Sequence, residues 1–161
     1  RGHEASIPIR QYVIQNIQGR DLKTTTTPNP MTGEDMKNAE KHARDLASRV
    51  NAVFKERLQD SETDVVGVGS IFSLGIEPLV KKSSFTVKDL TDAVKPLAGS
   101  TDEELGGGDF ADVQVTNALL VLGFMNELKI KEVTVVDVNA ADGAFFIKRF
   151  WKPQEAVIEE P

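Results

Sequence analysis

Apolar positions along the chain change their period several times. From Met36 to Leu58 they recur at three- and four-residue steps (Met36, Ala39, Ala43, Leu46, Ala47, Val50, Val53, Phe54, Leu58), with Lys37, Lys41, Arg44, Asp45, Arg49 and Lys55 on other faces. That period predicts one amphipathic helix of about seven turns. Thr32, three residues before Asp35, supplies a capping-box start, and Glu34 and Asp35 suit the positive end of the helix dipole. Ala5 to Ile17 is instead β-branched and aromatic, with Pro8 confining its first part, and predicts a strand. Between them Gly19 to Gly33 gathers four threonines, Pro28, Asn29 and Pro30, the mark of an exposed loop.

Thr63 to Val68 is short and valine-rich, predicting a strand buried on both faces that ends at Gly67, Gly69 and Ser70. Ile71 to Val80 is open between a helical turn and extended chain. Thr86 and Asp89 repeat the capping pattern, with Phe85 set to staple against Leu90, and predict a helix to about Val94, limited by Pro96. Gly99 to Asp109 is acidic and glycine-rich, a loop. Phe110 to Leu128 is apolar on several faces and predicts a buried helix; Val133 to Val138 predicts a strand. Ala140 to Gly143 forms a turn, Ala144 to Trp151 reads as extended, and residues 153–161 form an acidic tail. The order strand, helix, strand, helix, helix, strand predicts one α/β domain over residues 1–152, a sheet flanked by helices, with strands that look parallel and covered on both faces.

Composition narrows what such a domain can do. The chain has 161 residues, 40% apolar and 27% charged, a net charge of -6 and a pI near 5.0. The acidic balance argues against a sequence-independent grip on nucleic acid or an anionic membrane. With no cysteine, disulfides, thiolate metal sites and a cysteine nucleophile are excluded. No apolar run approaches the roughly 18 residues of a membrane span, and the polar start is unlike a signal peptide, so the chain reads as soluble. It opens at Arg1 without methionine, which suggests a processed product or a piece of something longer.

Candidate chemistry is sparse. Gly67, Gly69 and Ser70 could offer backbone amides to a phosphate at a strand's carboxyl end, or form a tight turn with Ser70 as helix cap. Gly106-Gly107-Gly108 lacks the Gly-Lys-Ser/Thr ending of a phosphate loop and sits beside Glu103, Glu104 and Asp109, so it reads as a connector. Asp112 suits the first turn of its helix, and Asp137 and Asp142 suit a turn; no calcium-loop spacing unites them. His3 and His42 have no visible partner and read as solvated, while Phe150 and Trp151 read as packing residues. No catalytic residue and no metal site is assigned.

Several joints together resemble a known family. Phe85-Thr-Val-Lys-Asp-Leu90, Phe110-Ala-Asp-Val113, Lys131-Glu-Val-Thr-Val-Val-Asp137 and Asp142-Gly143 are similar in order to the second half of the exopolyphosphatase and guanosine pentaphosphate phosphohydrolase (Ppx/GppA) domain. Gly69-Ser70-Ile71 stands where that family has Gly-Thr-Ile, and Ser6-Ile-Pro-Ile9 resembles its strand after the phosphate hairpin. The resemblance implies the C-terminal lobe of an actin-like ATPase fold with a mixed sheet, and Gly67, Gly69, Ser70, Asp142 and Gly143 as vestiges of a phosphate or nucleotide site. It also implies departures. The first lobe, the phosphate hairpin and the general-base glutamate have no counterpart here, and Phe110 and Ala140-Ala141 stand where the family carries arginines, the side chain suited to bidentate phosphate contact. The expectation is therefore a degenerate, non-catalytic lobe without cofactor, acting as a structural or interaction module with a protein partner or a missing N-terminal lobe. The alternative is a fragment of an active phosphohydrolase, in which polyphosphate or guanosine polyphosphate and magnesium would have a place.

Overall fold

In the computed structural model, residues 6–60 and 62–138 are described. Their architecture is mixed α/β, with six α-helices and one small sheet. The helices are α1 (Ser6–Tyr12), α2 (Gly33–Ala47), α3 (Ala52–Leu58), α4 (Glu77–Val80), α5 (Val87–Val94) and α6 (Ala111–Leu128). The strands are β1 (Val66–Val68), β2 (Ser84–Thr86) and β3 (Glu132–Val136), ordered β1-β3-β2. β1 runs parallel to β3 and β2 antiparallel to it, so the strands are not all parallel.

α6 is the central column, and its apolar composition matches its place: Val115, Ala118, Leu119, Leu122 and Met125 join Phe85, Leu90, Val94, Val133 and Val135 in one core. α2 lies against it. Both capping boxes form, Thr32 with Asp35 and Thr86 with Asp89, each side chain satisfying the other's orphan backbone N–H.

Several expectations are corrected. Residues 6–17 are helical: α1 continues as a π-helical turn over Val13–Ile17. Ile9, Val13 and Ile14 are all buried, and their spacing presents one helical stripe to the core, which outweighs the β-preference of the individual residues. Pro8 sits in the first turn, where its missing N–H costs nothing. The long helix is two, broken at Ser48 to Asn51, where the Asn51 side chain accepts from the Val53 N–H and starts α3. Val53 and Phe54 consequently face solvent.

The segment before α2 is a loop exposed over much of its length, as expected, but its end is packed. Pro28, Asn29 and Met31 are buried, and the Asn29 amide donates to Asp102 (2.7 Å) and to the Ala111 carbonyl (3.0 Å), with Thr27 also donating to Asp102. Phe85 is a β2 residue paired with Val133, and it lies wholly buried in the same core as Leu90. Residues 71–80 resolve into a π-helical turn, Ile71–Ile76, running into α4. Among the described residues the sheet is covered on one face only: Gly67, Val133 and Val135 point inward, while Val66, Val68 and Val136 point outward and are exposed. Residues 139–161, with the expected turn at 140–143, the extended run 144–151 and the tail, lie outside the described residues. No helix of the described residues is long and apolar enough to cross a membrane.

Candidate functional site

The turn after β1 sits at the carboxyl end of the parallel pair, the edge of an α/β sheet where ligands usually bind. Its three residues have different jobs. Gly69 takes a φ of +85°, which an L side chain rarely adopts, and its carbonyl accepts from the N–H groups of Phe72 (3.0 Å) and Ser73 (3.1 Å), opening the π-helical turn. Gly67 has no side chain because Phe72 takes the space: a Cβ there would stand 2.4 Å from the Phe72 ring. Ser70 is exposed and its hydroxyl caps nothing, so the cap expected of it falls to the Gly69 carbonyl. Asp142 and Gly143 lie outside the described residues, and so do His3, Phe150 and Trp151.

Beside this turn lies a cleft of about 460 Å³ between α1, the π-helical turn and the start of α6. Ser70, Leu74, Gly106, Gly107, Phe110 and Asn117 line it, with Arg10 and Asp112. Asp112 stands in the first turn of α6, as expected, and is ion-paired with Arg10, which occupies the one cation of the lining among the described residues. Asp109 adds a further carboxylate. The glycine run spends two of its amides on its own loop: Gly106 N–H donates to the Glu103 carbonyl and Gly107 N–H to the Asp102 carbonyl. Positive φ at Gly106, Gly107 and Gly108 fits the connector reading. With two carboxylates to one guanidinium the lining leans negative, a poor match for a polyphosphate, which needs unpaired cations or free amides.

A second cleft, about 580 Å³ and almost wholly apolar, runs along β1. Val65, Val66 and Phe72 form one wall; Ile9, Tyr12 and Leu46 form part of the other. His42, expected to be solvated, stacks on Tyr12 with ring centroids 3.5 Å apart and 7° between planes. Burial there lowers the His42 pKa from its ordinary 6.5; Asp45 opposes the shift and Arg49 adds to it. Thr134 N–H donates to the Val65 carbonyl (3.0 Å) in the register Val66↔Thr134, so the Val66 amide and carbonyl turn to the other side of β1, which no described strand pairs.

Among the described residues no three His, Asp or Glu side chains gather as a metal-binding cluster. Sequence reasoning missed Arg10, Asn117 and Phe72. Arg10 and Asp112 are 102 residues apart, and nothing local links them. Asn117 had a signal, an amide inside an apolar run: it is buried in α6 with its Oδ1 unpartnered. Compared with protein-family models, curated proteins and solved structures, the chain matches none.

Proposed function

We propose that this chain acts by association and not by turnover: a degenerate lobe of the exopolyphosphatase and guanosine pentaphosphate phosphohydrolase kind, actin-like in plan, serving as a structural or interaction module in a larger assembly. The observation that carries this reading is the outer edge of β1, which no described strand pairs, beside the apolar cleft of Val65, Val66 and Phe72. An edge strand with open backbone groups next to an apolar groove is a docking template for an added strand, backbone pairing giving affinity and the groove giving specificity. The partner is a protein, or the N-terminal lobe that the resemblance calls for.

The turn at Gly67, Gly69 and Ser70 supports the degenerate side of the reading. Gly67 is accounted for by Phe72 and Gly69 by its φ, so the turn keeps its glycines for packing and direction without a phosphate. Its place at the carboxyl end of the parallel pair favours a second reading, a fragment of an active phosphohydrolase that would use magnesium and residues outside this chain. Incubation of the chain together with any native N-terminal extension, with magnesium and either polyphosphate or guanosine tetraphosphate, separates the two. The first reading expects no phosphate release above buffer; steady release scaling with protein would support the second and remove the first.

A further inference from the structure

Two buried polar atoms without partners belong to residues that line one cleft. Among the described residues, the buried side-chain atoms that lack a hydrogen bond are Arg10 Nε, Asn29 Oδ1 and Asn117 Oδ1. The Asn29 amide is otherwise committed, to Asp102 and the Ala111 carbonyl. Arg10 and Asn117 instead both line the cleft of about 460 Å³ between α1, the π-helical turn and the start of α6. Asn117 is only 6% exposed, and a buried acceptor left unpaired destabilises the fold until something donates to it. The two atoms are of opposite kind: Nε–H donates and Oδ1 accepts. Ion pairing with Asp112 meets the Arg10 charge and Asp109 adds a negative one, so the cleft does not call for an anion. Apolar contact is at hand. Ile7, Leu74 and Phe110 also line the cleft and are 49%, 58% and 51% exposed.

We propose that this cleft binds a small neutral carboxamide carried on an apolar ring. The amide N–H donates to Asn117 Oδ1, the amide carbonyl accepts from Arg10 Nε–H, and the ring packs on Phe110 and Leu74. A carboxamide is a neutral group that holds a donor and an acceptor side by side, so it satisfies both atoms without adding charge. A carboxylate in its place would meet Asp109 and Asp112, and an ammonium would leave Arg10 Nε unpaired. The spacing suits one small molecule: Arg10 is tied to Asp112, which precedes Asn117 on α6 by a rise of about 7.5 Å. The volume of the cleft is also that of a small-molecule site. The inference concerns the cleft beside α1, and it stands or falls apart from the association proposed at the β1 edge.

Benzamide is the probe, titrated into the full ¹⁵N-labelled chain and followed by heteronuclear NMR. Saturable shifts are expected at the Asn117 side-chain amide and at the backbone amides of Gly107 and Phe110, with a Kd on the order of 1 mM for so small a ligand. Three relatives of the probe test the polar match on the unaltered chain, free of any folding defect. N,N-dimethylbenzamide lacks the N–H, benzylammonium lacks the carbonyl and benzoate carries a charge; each should bind at least about tenfold more weakly than benzamide. Phe110→Ala, at an exposed position, should weaken benzamide severalfold with unchanged circular dichroism. Asn117→Leu, close in size, should abolish the saturable shifts at Gly107 and Phe110. Shifts that never saturate, equal affinity for benzamide and its dimethyl relative, tighter binding of benzoate or benzylammonium, or an Asn117→Leu chain that binds benzamide as well as wild type would each overturn the proposal.

Discussion

Gly123 of α6 meets Ala43 of α2 so closely that a Cβ on Gly123 would stand 2.5 Å from the Ala43 Cβ and 2.9 Å from the Glu40 carbonyl oxygen. Neither backbone can yield without moving a helix. This contact sets the spacing of the two longest helices, and through it the placement of His42, Leu46 and the apolar cleft on α2. Gly123→Ala is expected to lower stability by about 1–3 kcal/mol through overpacking. Urea denaturation measures it, and Ala43→Gly in the same chain should return part of the loss, since the two sites are in contact.

Phe72 over Gly67 makes a second steric prediction, one that bears on what the turn is for. Gly67→Ala should destabilise by about 1–3 kcal/mol because the methyl enters the Phe72 ring. Adding Phe72→Ala should relieve the clash, leaving the double variant more stable than the sum of the single changes predicts. Strict additivity in urea melts would show that Gly67 is there for another reason.

His42 makes stability depend on pH near neutrality. Burial beside Tyr12 lowers its folded pKa below 6.5, so protonation costs more in the folded than in the unfolded chain. Its contribution is complete above about pH 6.5 and is lost as pH falls through the folded value. Urea midpoints at about pH 7.5 and 5.5 should therefore differ more for the wild type than for His42→Phe.

Asp89 acts in the acid range. The hydrogen bond from Lys82, followed by those from the Thr86 N–H and hydroxyl, holds its carboxyl far below the ordinary 3.8. A depressed carboxylate stabilises fully above about pH 4, and that share fades as pH falls through the folded value. Asp89→Asn should be less stable than wild type at about pH 7, and the deficit should shrink toward about pH 2.

What the sequence revealed was local. Thr32 with Asp35 and Thr86 with Asp89 signalled two helix starts because a capping box is closed within four residues. α6 was legible because a helix buried on most sides needs an apolar run. Residues 6–17 were misread because single-residue preferences favoured strand, while burial of Ile9, Val13 and Ile14 against distant partners decided for helix. The packed segment at Asn29 escaped for the same reason: its partners, Asp102 and Ala111, lie 73 and 82 residues away. At the candidate site the Gly69 turn was visible from spacing. The neutralising pair of Arg10 with Asp112 and the filling of Gly67 by Phe72 are tertiary facts, and they turn a phosphate-like pattern into a packed corner.

The proposed association runs through the edge of β1 that no described strand pairs. Light scattering across a concentration series of the intact chain and of Val66→Pro tests it most directly, because proline at an edge position removes the outward N–H without breaking the pairing to β3. The account predicts a concentration-dependent dimer for the wild type, as the exposed edge pairs with a second copy when its own partner is missing, and a monomer for Val66→Pro with unchanged circular dichroism. A wild-type chain that stays monomeric at every concentration, or a Val66→Pro chain that dimerises equally well, would contradict it.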